Sequence, residues 1–148
     1  MTLEDVLVMW EADSVIDEIN LDETSIKSAK LHAKYLQLLS IAKLRLKKKE
    51  MEFDAIKKDK WLYFEGKMAK DQMDERGWKY DPFDGGTKPM KSNMDYYYKS
   101  DSDLTRLQSQ IDYQKTLIDT LIDIMDNIKW RHQNIRNIID WKRFTAGA

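Results

Sequence analysis

The stretch LTRLQSQIDYQKTLIDTLIDIMDNIKWRHQNIRNIIDWK, residues 104–142, decides the fold class. Leu104, Leu107, Ile111, Gln114, Ile118, Leu121, Met125, Ile128, His132, Ile135, Ile139 and Lys142 alternate steps of three and four, and nine of these twelve are apolar. A strand repeats every two residues and cannot generate that spacing, whereas a helix keeping one face against a partner does. The pattern predicts a coiled-coil-like helix that starts at a cap on Ser100 or Asp101 and runs to about Arg143. Ile111, Ile118, Leu121, Met125, Ile128, Ile135 and Ile139 are the expected oligomerisation positions, with His132 packed in the same seam. Leu117, Ile122, Ile124, Trp130, Ile138 and Trp141 supply further apolar faces, which favours a bundle or ring over a simple dimer.

Earlier in the chain the same periodicity returns. Thr2 and Asp5 have the spacing of a capping pair, and Leu3, Val6, Leu7 and Trp10 then fall on one helical face. A second helix is expected from Thr24 or Ser25 to Gly66, an interval without glycine or proline. Its stripe runs through Ile26, Ala29, Ala33, Leu36, Leu39, Leu46 and Phe53. The segment GWKYDPFDGGTKPMKSN, residues 77–93, is dense in glycine and proline and is expected to be a loop. Tyr96, Tyr97 and Tyr98 follow it, and three successive rings cannot all face one side of a regular element. The 148 residues, 42% hydrophobic, suit one all-α domain of long amphipathic helices. Within it, 1–70 are N-terminal helices, 77–93 a loop and 101–143 the oligomerisation helix.

Charge is partitioned along the chain. The net charge is −1, yet residues 1–26 carry eight acids and no lysine or arginine, while residues 27–70 carry thirteen bases against five acids. A protein of this net charge has no general affinity for polyanions, so any such affinity must come from the basic block acting as a local field. The acidic head can cover that block or meet a basic partner. There is no cysteine, which excludes disulfides, thiolate zinc sites and cysteine nucleophiles. The acidic start and the lack of a long uncharged apolar run lead to an expectation of a cytoplasmic protein away from membranes.

Inside the basic block, KKKEMEFDAIKKDKWLYFEGK at residues 47–67 interleaves lysines with aromatic rings. Lysines attract phosphates without regard to sequence, and flat rings stack on unpaired bases. Lys57, Lys58, Lys60, Trp61, Tyr63, Phe64 and Lys67 are therefore the candidate nucleic-acid-binding residues, better suited to single strands than to duplex. In a long helix lysines also form solvated faces and aromatics form cores. The position of the stretch within the strongly basic block favours binding.

Nothing points to catalysis. No phosphate-cradling glycine loop, nucleophile elbow or His-Glu zinc motif is present, and His32 and His132 lie in separate helices. Asp101 and Asp103 can touch a cation but lack the spacing of a calcium loop. The expectation is a non-enzyme without cofactor or metal.

The segment Lys58-Asp-Lys60-Trp-Leu-Tyr63-Phe64-Glu-Gly66-Lys67 resembles the DNA-binding stretch of the UvsY-type recombination mediators of T-even-like bacteriophages. Leu3-Glu4-Asp5, Met94-Asp95, Tyr98-Lys99-Ser100 and the ending from Phe144 resemble the same family in order and spacing, so the likeness spans essentially the whole chain. Lys60 stands where the family pattern has arginine, Asp59 sits between the two lysines, and the 77–93 loop is longer than usual. The resemblance implies a ring of six or seven protomers that binds single-stranded DNA in the cytoplasm of an infected bacterium. It also implies loading of a RecA-like recombinase onto strands covered by the phage single-strand DNA-binding protein. The acidic head is the expected recombinase contact. The alternative is an oligomeric coiled-coil scaffold that binds no nucleic acid.

Overall fold

Local hydrogen bonding fixes where the helices start and stop in the computed structural model, which describes residues 1–147. The Thr2 hydroxyl accepts from the Asp5 amide at 3.1 Å and the Asp5 carboxylate accepts from the Thr2 amide at 2.9 Å, a reciprocal cap that opens α1 (Leu3–Asp13). Helix α2 (Leu21–Phe64) begins ahead of the expected Thr24 or Ser25. The Asp17 carboxylate already orders the preceding turn by accepting from the amides of Ile19 and Asn20. Thr24 then behaves as a helix-interior residue, its hydroxyl donating to the Asn20 carbonyl at 2.9 Å.

At its far end α2 closes on Gly66, whose φ of +70° is accessible to glycine at little cost. The Gly66 amide donates to the Tyr63 carbonyl and the Lys67 amide to the Leu62 carbonyl, the paired bonds of a Schellman stop. The same closure at Gly77 ends a helix the periodicity did not reveal, α3 (Lys70–Arg76). A 3₁₀ turn at Lys91–Asn93 leads into the equally short α4 (Met94–Ser100). Helix α5 (Ser102–Thr145) follows, and the Asp101 carboxylate accepts from the Leu104 amide at 3.1 Å as its cap. The described residues are all-α, with no strand among them.

The chain forms two compact units. The first comprises Met1–Leu44 together with the chain from Gln114 onward. Its core holds Val6, Tyr35, Leu39 and Ala42 with Leu117, Leu121, Ile124, Ile128 and Ile135. Trp10 meets Tyr35 edge to face at 5.4 Å. Arg131 is buried and donates to the carbonyls of Ser14 and Val15 at 3.0 and 2.9 Å, placing a cation at the C-terminal end of α1. Asp13 accepts from Lys34 at 2.6 Å and from the Tyr35 hydroxyl at 2.9 Å. Burial works against its charge, but these two donors outweigh it and hold the carboxyl below its ordinary range.

The buried row on α5 departs from the expected heptads. Leu104, Leu107 and Ile111 are buried as expected, but the steps Ile111, Gln114, Leu117 and Leu121 place two threes in succession. Such a stammer shifts the phase of the repeat. Arg131 therefore takes the inward place expected of His132, which is exposed with its Nδ1 2.9 Å from the Lys129 carbonyl. Of the seven expected oligomerisation positions, Ile111, Ile118, Leu121, Ile128 and Ile135 are buried within this single chain, and Met125 and Ile139 are half-buried. For those from Ile118 on, the reason is that α2 supplies an apolar row in the same unit: the Gln114 amide donates to the Ala42 carbonyl at 3.1 Å, so the two helices lie side by side there. Ile122, Trp130, Trp141 and Phe144 remain exposed on α5, the last two rings stacked at 5.7 Å.

The second unit is Arg45–Tyr113. Tyr63, Phe64, Met68, Met73 and Met94 form its core cluster, with Leu62, Trp78, Phe83 and Tyr98 packed against it. The loop after α3 is tied down rather than extended. The Asp81 carboxylate accepts from the amides of Phe83 and Gly85, Phe83 enters the aromatic cluster, and Lys88 pairs with Glu65.

Candidate nucleic-acid interface

The seven candidate residues lie on the last turns of α2 and just beyond its glycine stop. Helical geometry splits them into two faces. Positions 57, 58 and 61 are separated by three and four residues and share one side; positions 60, 63 and 64 share another. Lys57, Lys58, Trp61 and Lys67 are exposed, whereas Lys60, Tyr63 and Phe64 are buried.

On the outer face, Trp61 is 40% exposed and the Lys67 ammonium lies 4.8 Å from its ring centre. Lys57 sits 5.1 Å from the centre of the Tyr98 ring. None of Lys57, Lys58 and Lys67 forms an ion pair among the described residues. Asp59, the acid lodged between two of the lysines, is drawn away by Arg76 at 2.5 Å. Its charge is thereby met on the side of α3 instead of cancelling Lys58.

The inner face holds the other three candidates, Lys60, Tyr63 and Phe64, in the interior of the second unit. Lys60 is 4% exposed, and its ammonium stands 3.0 Å from both Asp101 and Asp103 and 3.9 Å from the centre of the Trp78 ring. The Asp103 carboxylate also accepts from the Trp78 indole at 3.1 Å. The Lys60 hydrogen bond holds the Asp103 carboxyl below its ordinary range against the opposing effect of burial, with Trp78 assisting. Thus the cation that meets Asp101 and Asp103 is the chain's own Lys60. Tyr63 packs tilted against Phe64 and Trp78 and donates its hydroxyl to the Lys79 carbonyl. Burial, reinforced by Asp81, Asp101 and Asp84, raises the Tyr63 pKa. A ring so enclosed has no free face for a base to stack on.

Sequence reasoning did not single out Trp78. It lies in the glycine-rich segment, and only its place directly after a helix-ending glycine hints at an inward anchor. Among the described residues no cluster of three or more metal-binding side chains occurs. No helix there is long and apolar enough to cross a membrane.

A family described as "Recombination, repair and ssDNA binding protein UvsY" matches residues 9–148. Crystal structures of the bacteriophage T4 recombination mediator protein UvsY share the fold. The lattice type II form matches with a TM-score of 0.84 at 25% identity, covering 99% of this chain and 98% of that one. The lattice type I form gives 0.82 at 23%, with 95% and 98% covered. The lattice type IV form gives 0.80 at 22%, with 98% and 99% covered. No curated protein sequence matches. A family match over nearly the whole chain, on a fold shared end to end with a recombination mediator, means that the chain belongs to the UvsY family of recombination, repair and single-stranded-DNA-binding proteins.

Proposed function

We propose that this protein binds single-stranded DNA through the outer face of α2 and promotes loading of a RecA-like recombinase onto strands covered by single-strand DNA-binding protein. The observation that carries the proposal is that Lys57, Lys58 and Lys67 stand exposed on the same stretch as the exposed Trp61 and form no ion pair among the described residues. Their charge is available to phosphates, and the indole face to a base. Lys60, Tyr63 and Phe64 serve by fixing the helix that presents those groups, not by touching the strand.

Each site is small, so affinity comes from repetition. A ring of six or seven protomers would multiply weak contacts through effective concentration. With the expected seam filled by the chain's own helices, the exposed Trp130, Trp141 and Phe144 are the proposed protomer contacts. A strand wrapped on such a ring is bent away from the path that suits a competing binder, which favours exchange for the recombinase. The acidic N-terminal segment is the proposed recombinase contact.

The test has two parts. Fluorescence anisotropy with oligo-dT and its duplex across a salt series, with mass determination on the same sample, should show salt-sensitive, strand-preferring binding by a species of several protomers. Strand-dependent ATP hydrolysis by the recombinase, inhibited by the single-strand binder, should then be restored by this protein. An oligomer that ignores both nucleic acids at low salt would make the lysines a solvated face and the protein a scaffold.

A further inference from the structure

A pocket of about 370 Å³ within the second unit opens beside Lys57 and is used by nothing described above. We infer that it receives one base of the bound strand, with the flanking phosphates held by Lys57 and Lys99; the inference rests on strand binding and names where a base goes. Its lining is contributed by α2, α4 and the first turns of α5. Leu104, 2% exposed, forms the apolar floor, and the half-buried rings of Phe53 and Tyr98 form walls. A volume of this size lies at the lower end of small-molecule sites, which span roughly 300–1,000 Å³.

The polar lining selects among ligands. Lys57, Lys99 and Asp95 are all exposed residues of the lining: the two lysines attract phosphate, and Asp95 repels an anion placed against it. The fitting ligand therefore turns its negative charge to the lysines and a neutral, flat group to Asp95 and the apolar lining, as a nucleotide of a strand can. The Gln108 carboxamide donates to Asp112 at 2.9 Å, which leaves its carbonyl oxygen to accept. Asp95 and Gln108 thus offer acceptors to a base's N–H groups. Every base carries such a donor as well as a π-face, so the pocket is sequence-tolerant.

The test compares oligo-dT with an abasic strand of the same length and phosphate count, on wild-type protein and on Thr105→Phe, which fills the pocket from its exposed lining. Wild type should prefer the base-bearing strand; Thr105→Phe should lose about tenfold of that preference, within the range of one stacked base, while abasic binding and its salt slope hold. Trp61→Ala provides the comparison for the outer face. Photocrosslinking of a 5-iodouracil strand to unmodified protein is independent of any variant's folding and should give adducts on Tyr98 or Phe53. Undiminished base preference in Thr105→Phe, or adducts confined to Trp61, would overturn the pocket and leave strand binding standing. Failure of the wild type to bind either strand would remove both.

Discussion

The Lys60 ammonium lies 3.0 Å from the Asp101 carboxylate, and Asp101 is also the residue that caps α5. This one contact ties the final turns of α2 to the start of the other long helix. Lys60→Ala should leave two carboxylates without their cation and lower stability by roughly 3 kcal/mol, the low end for a broken buried pair because Asp103 keeps contact with water. Urea unfolding checks this. A Lys60→Ala protein as stable as wild type that nonetheless loses strand affinity would reverse the assignment of Lys60 to the interior.

Trp61 and Tyr63 are two residues apart and should respond in opposite ways. Trp61→Ala is expected to weaken strand binding by about 1–3 kcal/mol, the worth of one stacked base, with little change in stability. Tyr63→Phe removes a buried hydrogen bond to Lys79 and should cost about 0.5–1.5 kcal/mol of stability while binding is unchanged. Anisotropy and urea titrations on the same two variants measure both.

The depressed Asp103 carboxyl makes a pH prediction. A group whose folded pKa is lowered stabilises the protein fully above its unfolded value, roughly 3.9 for aspartate, and that stabilisation disappears as pH falls through the lower folded value. Wild type should therefore lose more unfolding free energy than Asp103→Asn as pH drops from about 5 to 3. Parallel profiles for the two proteins would show that Lys60 does not hold Asp103 charged.

Periodicity made the two long helices legible as helices because each spans 44 residues, but it misplaced the inward face of the first half of α2, where Ile26, Ala29, Ala33 and Leu36 are exposed and Tyr35 and Ala42 are buried. Helices α3 and α4, seven residues each, complete too few turns to show a period, and their boundaries depend on Gly77 and on the cap at Asp101. The inward face of the binding stretch was written in the sequence: steps of seven from Leu39 through Leu46 and Phe53 arrive at Lys60. It was masked because lysine so seldom faces a core, and because its partner acids come from a different helix and give no local signal. The stammer in α5 was hidden for a related reason, since Leu117 and Ile118 are both apolar and allow either phase.

Arg131 gives a prediction for the first unit. Its guanidinium satisfies the carbonyls of Ser14 and Val15, just past the end of α1. Arg131→Met keeps the apolar stem but leaves those carbonyls without their donor, and should cost roughly 1–3 kcal/mol. The loosened segment should then be cut faster by limited proteolysis between α1 and α2. Unchanged cleavage there would show that the segment is held by other contacts.

The division of α2 into an outer binding face and an inner packing face is tested most directly by the salt dependence of oligo-dT affinity. In wild type, log K should fall linearly with log salt. In a folded, assembled Lys57→Ala/Lys58→Ala protein the slope should flatten by about 1.4, near 0.7 for each phosphate no longer neutralised, while Tyr63→Phe keeps the wild-type slope. An unchanged slope in the double lysine variant, or equal flattening in Tyr63→Phe, would contradict the account.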